Sequence, residues 1–182
     1  MTPKQELKTS GTVVKNFKRQ VVVSTPTNKK HGCYQTVIVI VADNDRRTVG
    51  LCVNRPVFEI PCVCGECLVP PAPLFLGGPE EIDQRYFFLH DQPGLARSKD
   101  KLFDGVYLSC PRMVEQFDPD AGHGKMITGF CQWDAGELAT EVRNGMWLVD
   151  QAPDPALFLN SEPKKLWKDM TPRHYSFRFS EN

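Results

Sequence analysis

The chain has 182 residues and a mass of 20.6 kDa, the size of one ordinary domain, and its 22 basic residues balance its 22 acidic residues. With no net charge, the composition disfavours a protein that binds nucleic acid or an acidic membrane through its overall field. The apolar fraction of 41% is that of a globular protein rather than a disordered one.

Two features of the sequence indicate the cellular location of the protein. The longest apolar run, Val37–Ala42, is far shorter than the roughly 20 residues that a membrane-spanning helix needs. The first residues, Met1–Gly11, lack the apolar segment of a secretory signal. We therefore expect a cytoplasmic protein with no membrane attachment. In a reducing compartment the 7 cysteines are expected to be thiols or metal ligands rather than disulfides.

The N-terminal segment, residues 1–19, is basic and shows no regular hydrophobic period before Val13. We predict a flexible, solvated tail here, followed by a single domain over residues 20–182. A basic arm for nucleic acid is the alternative, but the segment is short and poor in aromatic residues, so nucleic acid is not the expected partner.

The middle of the chain is rich in strand patterns. A β-branched run at 20–24 is predicted as a strand, and the apolar run over 34–42 is joined by an Asp-Asn-Asp turn to 47–53, which predicts a hairpin. Gly129 indicates a bulge or a close backbone approach within its strand. The other predicted strands share apolar or alternating patterns and lie at 74–76, 85–90, 105–109, 125–133, 146–149 and 174–179.

Two helices have start and stop signals. Asp134 is predicted as an N-cap with Glu137 three residues later, and Gly145 suits the position just past the helix end. A second helix is predicted from Ser161 to about Met170, and a brief one after Pro111. Because strands outnumber helices and many connections are short, the sequence predicts an α+β fold with a mixed, largely antiparallel sheet.

An ordered series of glycine, proline and tryptophan landmarks runs along the chain. The landmarks are Val21–Pro26, Gly50–Pro56, Leu76–Pro79, Phe88–His90, Gly129–Leu138, Glu141, Trp147-Leu148, Phe158 and Trp167. In this order they resemble the AlgH/YqgE family of small bacterial proteins over about residues 20–170. The resemblance implies a β-sheet curled into a pseudo-barrel with helices packed outside. It also implies a non-enzymatic binding or regulatory protein, with a role in transcription exerted through protein contacts.

The chain departs from the family pattern in several places, two of which are longer stretches. The Asp-rich segment expected after the first proline reads Asn28–Tyr34 here, and the leucine-rich helical stretch expected after Pro56 is replaced by a shorter loop with cysteines. Within the family pattern, the positions expected to form a binding site are Asn54, Gly77, Gly78, Trp133 and Gly136.

Four of these positions also have a structural interpretation. The Asn54 amide suits the capping of backbone groups at a strand end. Gly77 and Gly78 suit a tight turn as well as an anion-binding loop. Trp133 suits a packing anchor as well as a ligand contact.

Cys62, Cys64 and Cys67 lie close together in a proline-bounded loop. Three thiolates at this spacing can bind one tetrahedral Zn²⁺, with a fourth ligand from Cys33, Cys52, Cys110, His31 or His90. Redox-active thiols and inert thiols are the alternatives. The four histidines are scattered and show no triad spacing, so the expected protein is not an enzyme. The alternative function is a redox-active or zinc-stabilised protein that uses this loop.

Overall fold

A computed structural model of the chain describes residues 16–30, 32–57, 72–150 and 154–171. Its ten strands form two five-stranded sheets. The first sheet has the order β10-β1-β2-β3-β9, and all of its pairs are antiparallel. Its strands are β1 (Val21–Ser24), β2 (Val37–Asp43), β3 (Arg47–Cys52), β9 (Cys131–Asp134) and β10 (Trp147–Asp150).

The second sheet has the order β4-β8-β5-β7-β6 and is mixed, because β4 pairs with β8 in parallel while the other pairs are antiparallel. Its strands are β4 (Leu74–Leu76), β5 (Tyr86–His90), β6 (Lys101–Phe103), β7 (Val106–Ser109) and β8 (Gly124–Thr128). The α+β class and the largely antiparallel pairing predicted from the sequence are therefore confirmed.

Three α-helices are described: α1 (Glu137–Arg143), α2 (Pro155–Asn160) and α3 (Pro163–Met170). The brief helix predicted after Pro111 is a 3₁₀ helix, Pro111–Gln116. Within the described ranges, no helix has the length and hydropathy that crossing a membrane would require. The short α2 was not predicted; Asp154 caps it by accepting hydrogen bonds from the backbone N–H groups of Ala156 and Leu157.

The main core lies between the two sheets and is covered by α2 and α3. Alternate residues of β1 and β2 point into it, while their neighbours point to the opposite face of the first sheet, where α1 packs. Both faces of these strands are buried, which is why their sequences are almost continuously apolar. A smaller cluster lies on the outer face of the second sheet, around Phe88, Phe117 and Met126.

The first sheet is strongly curled. β9 and β10 are its opposite edges, which in a flat sheet of this size would be about 19 Å apart at the usual strand spacing. The ring centroids of Trp133 in β9 and Trp147 in β10 nevertheless lie 6.0 Å apart, with the rings edge to face. The long indole side chains and the curling of the sheet around α1 together bring the two edges into contact, although neither sheet closes into a barrel.

The predicted strand over 125–133 is wrong as one strand. β8 ends at Thr128 in the second sheet and β9 starts at Cys131 in the first, so the chain changes sheets between them. Gly129 makes the change with a φ of 71°, a left-handed conformation that favours glycine. Apolar residues stand on both sides of the change, because both short strands have buried positions, and the sequence pattern therefore conceals the break.

Two local predictions need correction. Asp134 is the last residue of β9, and the N-cap of α1 is Gly136; the Glu137 carboxylate still accepts a hydrogen bond from the Asp134 backbone N–H at 2.9 Å. Phe17, which the sequence places in the basic tail, is buried. Residues 1–15 and the predicted strand at 174–179 lie outside the described residues, so the tail and the domain limits stay predictions.

Candidate functional site

A buried carboxylate joins the two edges of the first sheet. The indole Nε1 atoms of Trp133 and Trp147 donate hydrogen bonds to the same oxygen of Glu141, Oε2, at 2.9 and 2.7 Å. Glu141 lies on α1, which connects β9 to β10. One side chain thus fixes the curl of the sheet at the point where its two edge strands meet.

The second oxygen of Glu141 accepts a hydrogen bond from Lys30 Nζ at 2.6 Å, and the same ammonium contacts Glu137 Oε1 at 3.2 Å. Burial alone would raise the pKa of Glu141, but the hydrogen bonds from Lys30, Trp147 and Trp133 outweigh it and lower that pKa. The carboxylate is therefore ionised at neutral pH, and it holds the loop that contains Lys30 against α1.

Beside this network lies a pocket of about 350 Å³, here called the seam pocket because it opens where the two sheets meet. Its buried and half-buried lining residues are Cys33, Thr36, Cys52, Arg55, Leu76, Gly78, Cys131 and Trp133. Its exposed lining residues are Lys30, Gly32, Pro79, Glu80, Ile82 and Gln132. The inner lining is thus mostly apolar. The exposed part of the pocket lining contains the Lys30 ammonium and the apolar side chain of Ile82.

Three thiols face this pocket, and all three are held neutral. Burial raises the pKa of Cys33 and of Cys52, and it raises the pKa of Cys131 to about 12. Cys52 Sγ donates to Asn54 Oδ1 and Cys131 Sγ donates to the Gly77 carbonyl, both at 3.4 Å. Protonated thiols that act as donors behave as small apolar groups rather than nucleophiles or metal ligands.

The predicted glycines Gly77 and Gly78 hold the two sheets together. A Cβ at Gly77 would lie 2.6 Å from Ile127 Cγ2, and a Cβ at Gly78 would overlap the backbone of Phe130. The Gly77 carbonyl also accepts a hydrogen bond from the Cys52 N–H at 2.8 Å. These glycines are therefore required by the close approach of two backbones, and Gly78 in addition lines the seam pocket.

The predicted residue Asn54 supports the pocket from behind. Its Oδ1 accepts a hydrogen bond from the Val37 N–H at 2.9 Å, and its Nδ2 donates to the Gln35 carbonyl at 2.8 Å. Both polar atoms of the Asn54 amide thus make hydrogen bonds to backbone groups. The predicted residue Gly136 is the N-cap of α1, with a φ of 77°, and it does not line the seam pocket.

The predicted metal ligands Cys62, Cys64 and Cys67 lie outside the described residues, so zinc binding by that loop stays a prediction. Among the residues that the structure does describe, no group of three or more acidic, histidine or cysteine side chains is arranged to hold a metal ion. Metal analysis of protein purified without added zinc tests the prediction.

A buried histidine–serine pair lies elsewhere, in the second sheet. His90 Nε2 lies 2.9 Å from Ser109 Oγ, and His90 Nδ1 accepts a hydrogen bond from the Gln92 backbone N–H at 3.2 Å. An accepting Nδ1 places the proton of the neutral ring on Nε2, so the ring donates to the serine and cannot take its proton. Burial lowers the pKa of His90, which favours this neutral form.

Sequence reasoning missed Lys30 and used Glu141 only as a family landmark. Glu141 carried a detectable signal, because it stands on the apolar stripe of α1, three residues after the buried Leu138 and between two tryptophans. Lys30 carried none, since its contacts are with residues more than 100 positions away.

Comparison with known proteins finds relatives along most of the chain. Residues 15–175 match a family model described as AlgH-like. A UPF0301 protein from Thioalkalivibrio sulfidiphilus is 26% identical over 167 residues, covering 86% of this chain and 89% of the relative. A UPF0301 protein from Bordetella petrii is 30% identical over 154 residues, covering 79% of this chain and 76% of the relative.

Two solved structures are similar to this one. The protein DIP2367 from Corynebacterium diphtheriae superposes with a TM-score of 0.65 at 22% identity and covers 85% of each chain. The AlgH protein from Pseudomonas aeruginosa superposes with a TM-score of 0.61 at 22% identity, covering 94% of this chain and 92% of that one. At these identities the likeness concerns the fold.

Proposed function

The chain belongs to the AlgH-like family, and from that premise we propose that it is a non-enzymatic cytoplasmic binding protein that regulates through protein contacts made at the seam pocket. The observation that carries the proposal is the pocket itself, a concave apolar site next to exposed apolar side chains. In this account a role in transcription is exerted on a protein partner, in keeping with the balanced charge of the chain.

The surroundings of the pocket suit a protein partner. Ile82 lines it and is 41% exposed, and Tyr34, which is 62% exposed, lies next to it because its carbonyl accepts a hydrogen bond from Arg55 Nη2 at 3.4 Å. Exposed apolar side chains around a pocket that can receive an anchoring side chain are typical of protein interfaces.

The chemistry of the nearby groups supports binding over catalysis. The Cys52 and Cys131 thiols of the seam pocket serve as hydrogen-bond donors, and the buried His90 donates to Ser109 instead of activating it. These groups lack the pairing of a nucleophile with a base that covalent catalysis uses.

The test is affinity capture from a lysate of the source organism with three forms of the chain. Ile82→Glu places a charge at the pocket, and Tyr86→Glu places the same charge on a side chain that is 39% exposed and does not line the pocket. We expect a partner that binds the wild type and the Tyr86→Glu variant and is reduced at least about tenfold with Ile82→Glu.

Two outcomes would contradict the proposal. One is a partner that binds all three forms equally, because the interface would then lie elsewhere. The other is no specific partner at any salt concentration that keeps the chain folded.

A further inference from the structure

A lysine side chain points into the main core. Lys125 lies on β8 opposite Leu89, two residues before Ile127, and it shares their face of the second sheet. It is only 2% exposed. Lysine is almost never buried to this degree unless it is paired with an opposite charge.

Among the described residues, the contacts of the Lys125 ammonium are all with neutral groups. Its Nζ donates to the Val53 carbonyl at 3.1 Å and to the Phe158 carbonyl at 3.0 Å, and lies 4.8 Å from the ring centroid of Phe75. No carboxylate among the described residues lies within 4.0 Å of it. Burial lowers the pKa of Lys125 to about 8.

Lys125 also lines a cavity of about 590 Å³, here called the proline-rimmed cavity, which shares no lining residue with the seam pocket. Four prolines line it: Pro56, Pro73, Pro119 and Pro163. The aromatic and aliphatic side chains of Phe75, Phe117 and Leu159 line it as well. The cavity is large enough for a small metabolite and offers it mainly apolar contacts.

We propose that Lys125 is a reactive amine that captures small aldehydes or ketones with an apolar body as a Schiff base in the proline-rimmed cavity. The amine nitrogen attacks the carbonyl carbon and forms a C–N bond, and a proton moves from nitrogen to the former carbonyl oxygen. The resulting hydroxyl then leaves as water together with the second proton of the nitrogen, which gives the neutral C=N bond, and addition of water reverses the reaction.

The geometry prepares the amine for this reaction. A neutral amine has two N–H bonds, which suit the two carbonyl acceptors, and one lone pair that neither contact uses. At pH 7.4 about a fifth of this amine is neutral, against about 0.1% of an ordinary lysine. If Lys125 served only to link Val53 and Phe158 structurally, it would make the same two hydrogen bonds, but its amine would not react selectively with carbonyl compounds.

The experiment treats the folded full chain at pH 7.4 with butanal and sodium cyanoborohydride, which reduces the imine to a stable secondary amine. Peptide mass spectrometry then gives the modification rate at each lysine. Lys164 is the internal comparison, because it lines the same cavity and is exposed. We expect Lys125 to react at least about tenfold faster than Lys164, given its larger neutral fraction. In urea-unfolded chain the two rates should be equal.

Lys125→Arg is the matched variant, since it keeps a donor and a charge but removes the nucleophile. It should lose the fast site and leave the rates of the other lysines unchanged. A Lys125 rate no higher than that of Lys164 in the folded wild-type chain would overturn the proposal. That comparison decides the matter even if the variant does not fold.

Discussion

The seam pocket and the proline-rimmed cavity both depend on a buried charged group, and they treat it in opposite ways. Glu141 is surrounded by three donors, one of them an ammonium, and its ionised form is favoured. Lys125 meets two neutral carbonyls and an aromatic ring, and its ionised form is disfavoured. A charge that is fully paired serves structure, whereas one that is left without a counter-ion is available for chemistry.

The largest effect on stability is expected from removing the hydrogen bonds that pair Glu141 with its three donors. Glu141→Gln replaces an oxygen acceptor by an amide donor facing two indole N–H groups or an ammonium, so at least one donor loses its partner. We expect a loss of about 3–5 kcal/mol in the free energy of unfolding, measured by urea titration. Glu137→Gln removes the charge of an exposed contact to Lys30 and leaves one side-chain oxygen that can accept from the Asp134 N–H, so it should cost less than about 1 kcal/mol. Equal losses for the two variants would show that Glu141 does not join the sheet edges.

The buried Lys125 is tested by the pH dependence of the free energy of unfolding. Lys125 has a pKa of about 8 in the folded chain and an ordinary value of 10.5 when unfolded. Between these values the unfolded chain binds a proton that the folded chain does not, so wild-type stability rises as pH rises through this window.

Lys125→Met removes this contribution. The wild type should therefore gain on the order of 3 kcal/mol relative to the variant between pH 7 and pH 10.5. Urea titrations of both proteins at several pH values provide the measurement. A difference that stays constant with pH would mean that the amine is charged in the folded chain.

A smaller effect is expected where the two sheets touch. Gly78→Ala brings a Cβ onto the Phe130 backbone and should cost about 2–3 kcal/mol, since the strands must separate. Gly136→Ala adds a Cβ in open space, and only its positive φ opposes the change, so about 1 kcal/mol is expected. Thermal unfolding of the two variants compares them directly. A larger loss at Gly136 would contradict the close approach of the sheets.

Most strands were predictable because their residues are suited to both faces of a buried sheet. The β-branched run of β1 and the hairpin of β2 and β3 follow directly from composition and turn residues. The change of sheet at Gly129 was not predictable from periodicity, since apolar residues stand on both sides of it. The glycine itself was the only local sign.

The residues of the candidate sites also divide into those that could be predicted from the sequence and those that could not. Trp133 and Gly78 were identified through an ordered family pattern. Such a pattern identifies positions in the sequence but does not predict which residues they contact. Lys30 and Lys125 were missed because both act through long-range contacts, and a lysine in a strand is ordinarily read as exposed. Only the fold brings the partners of these two side chains within reach.

The most direct test of the central claim, that the seam pocket is the binding site, is an NMR titration with the captured partner that follows the indole N–H signals. Trp133 lines the pocket, while Trp167 donates to the Ser24 carbonyl at 2.7 Å and does not line it. The account predicts that the Trp133 signal shifts or broadens on binding while the Trp167 signal stays in place. A perturbation confined to Trp167 would contradict it.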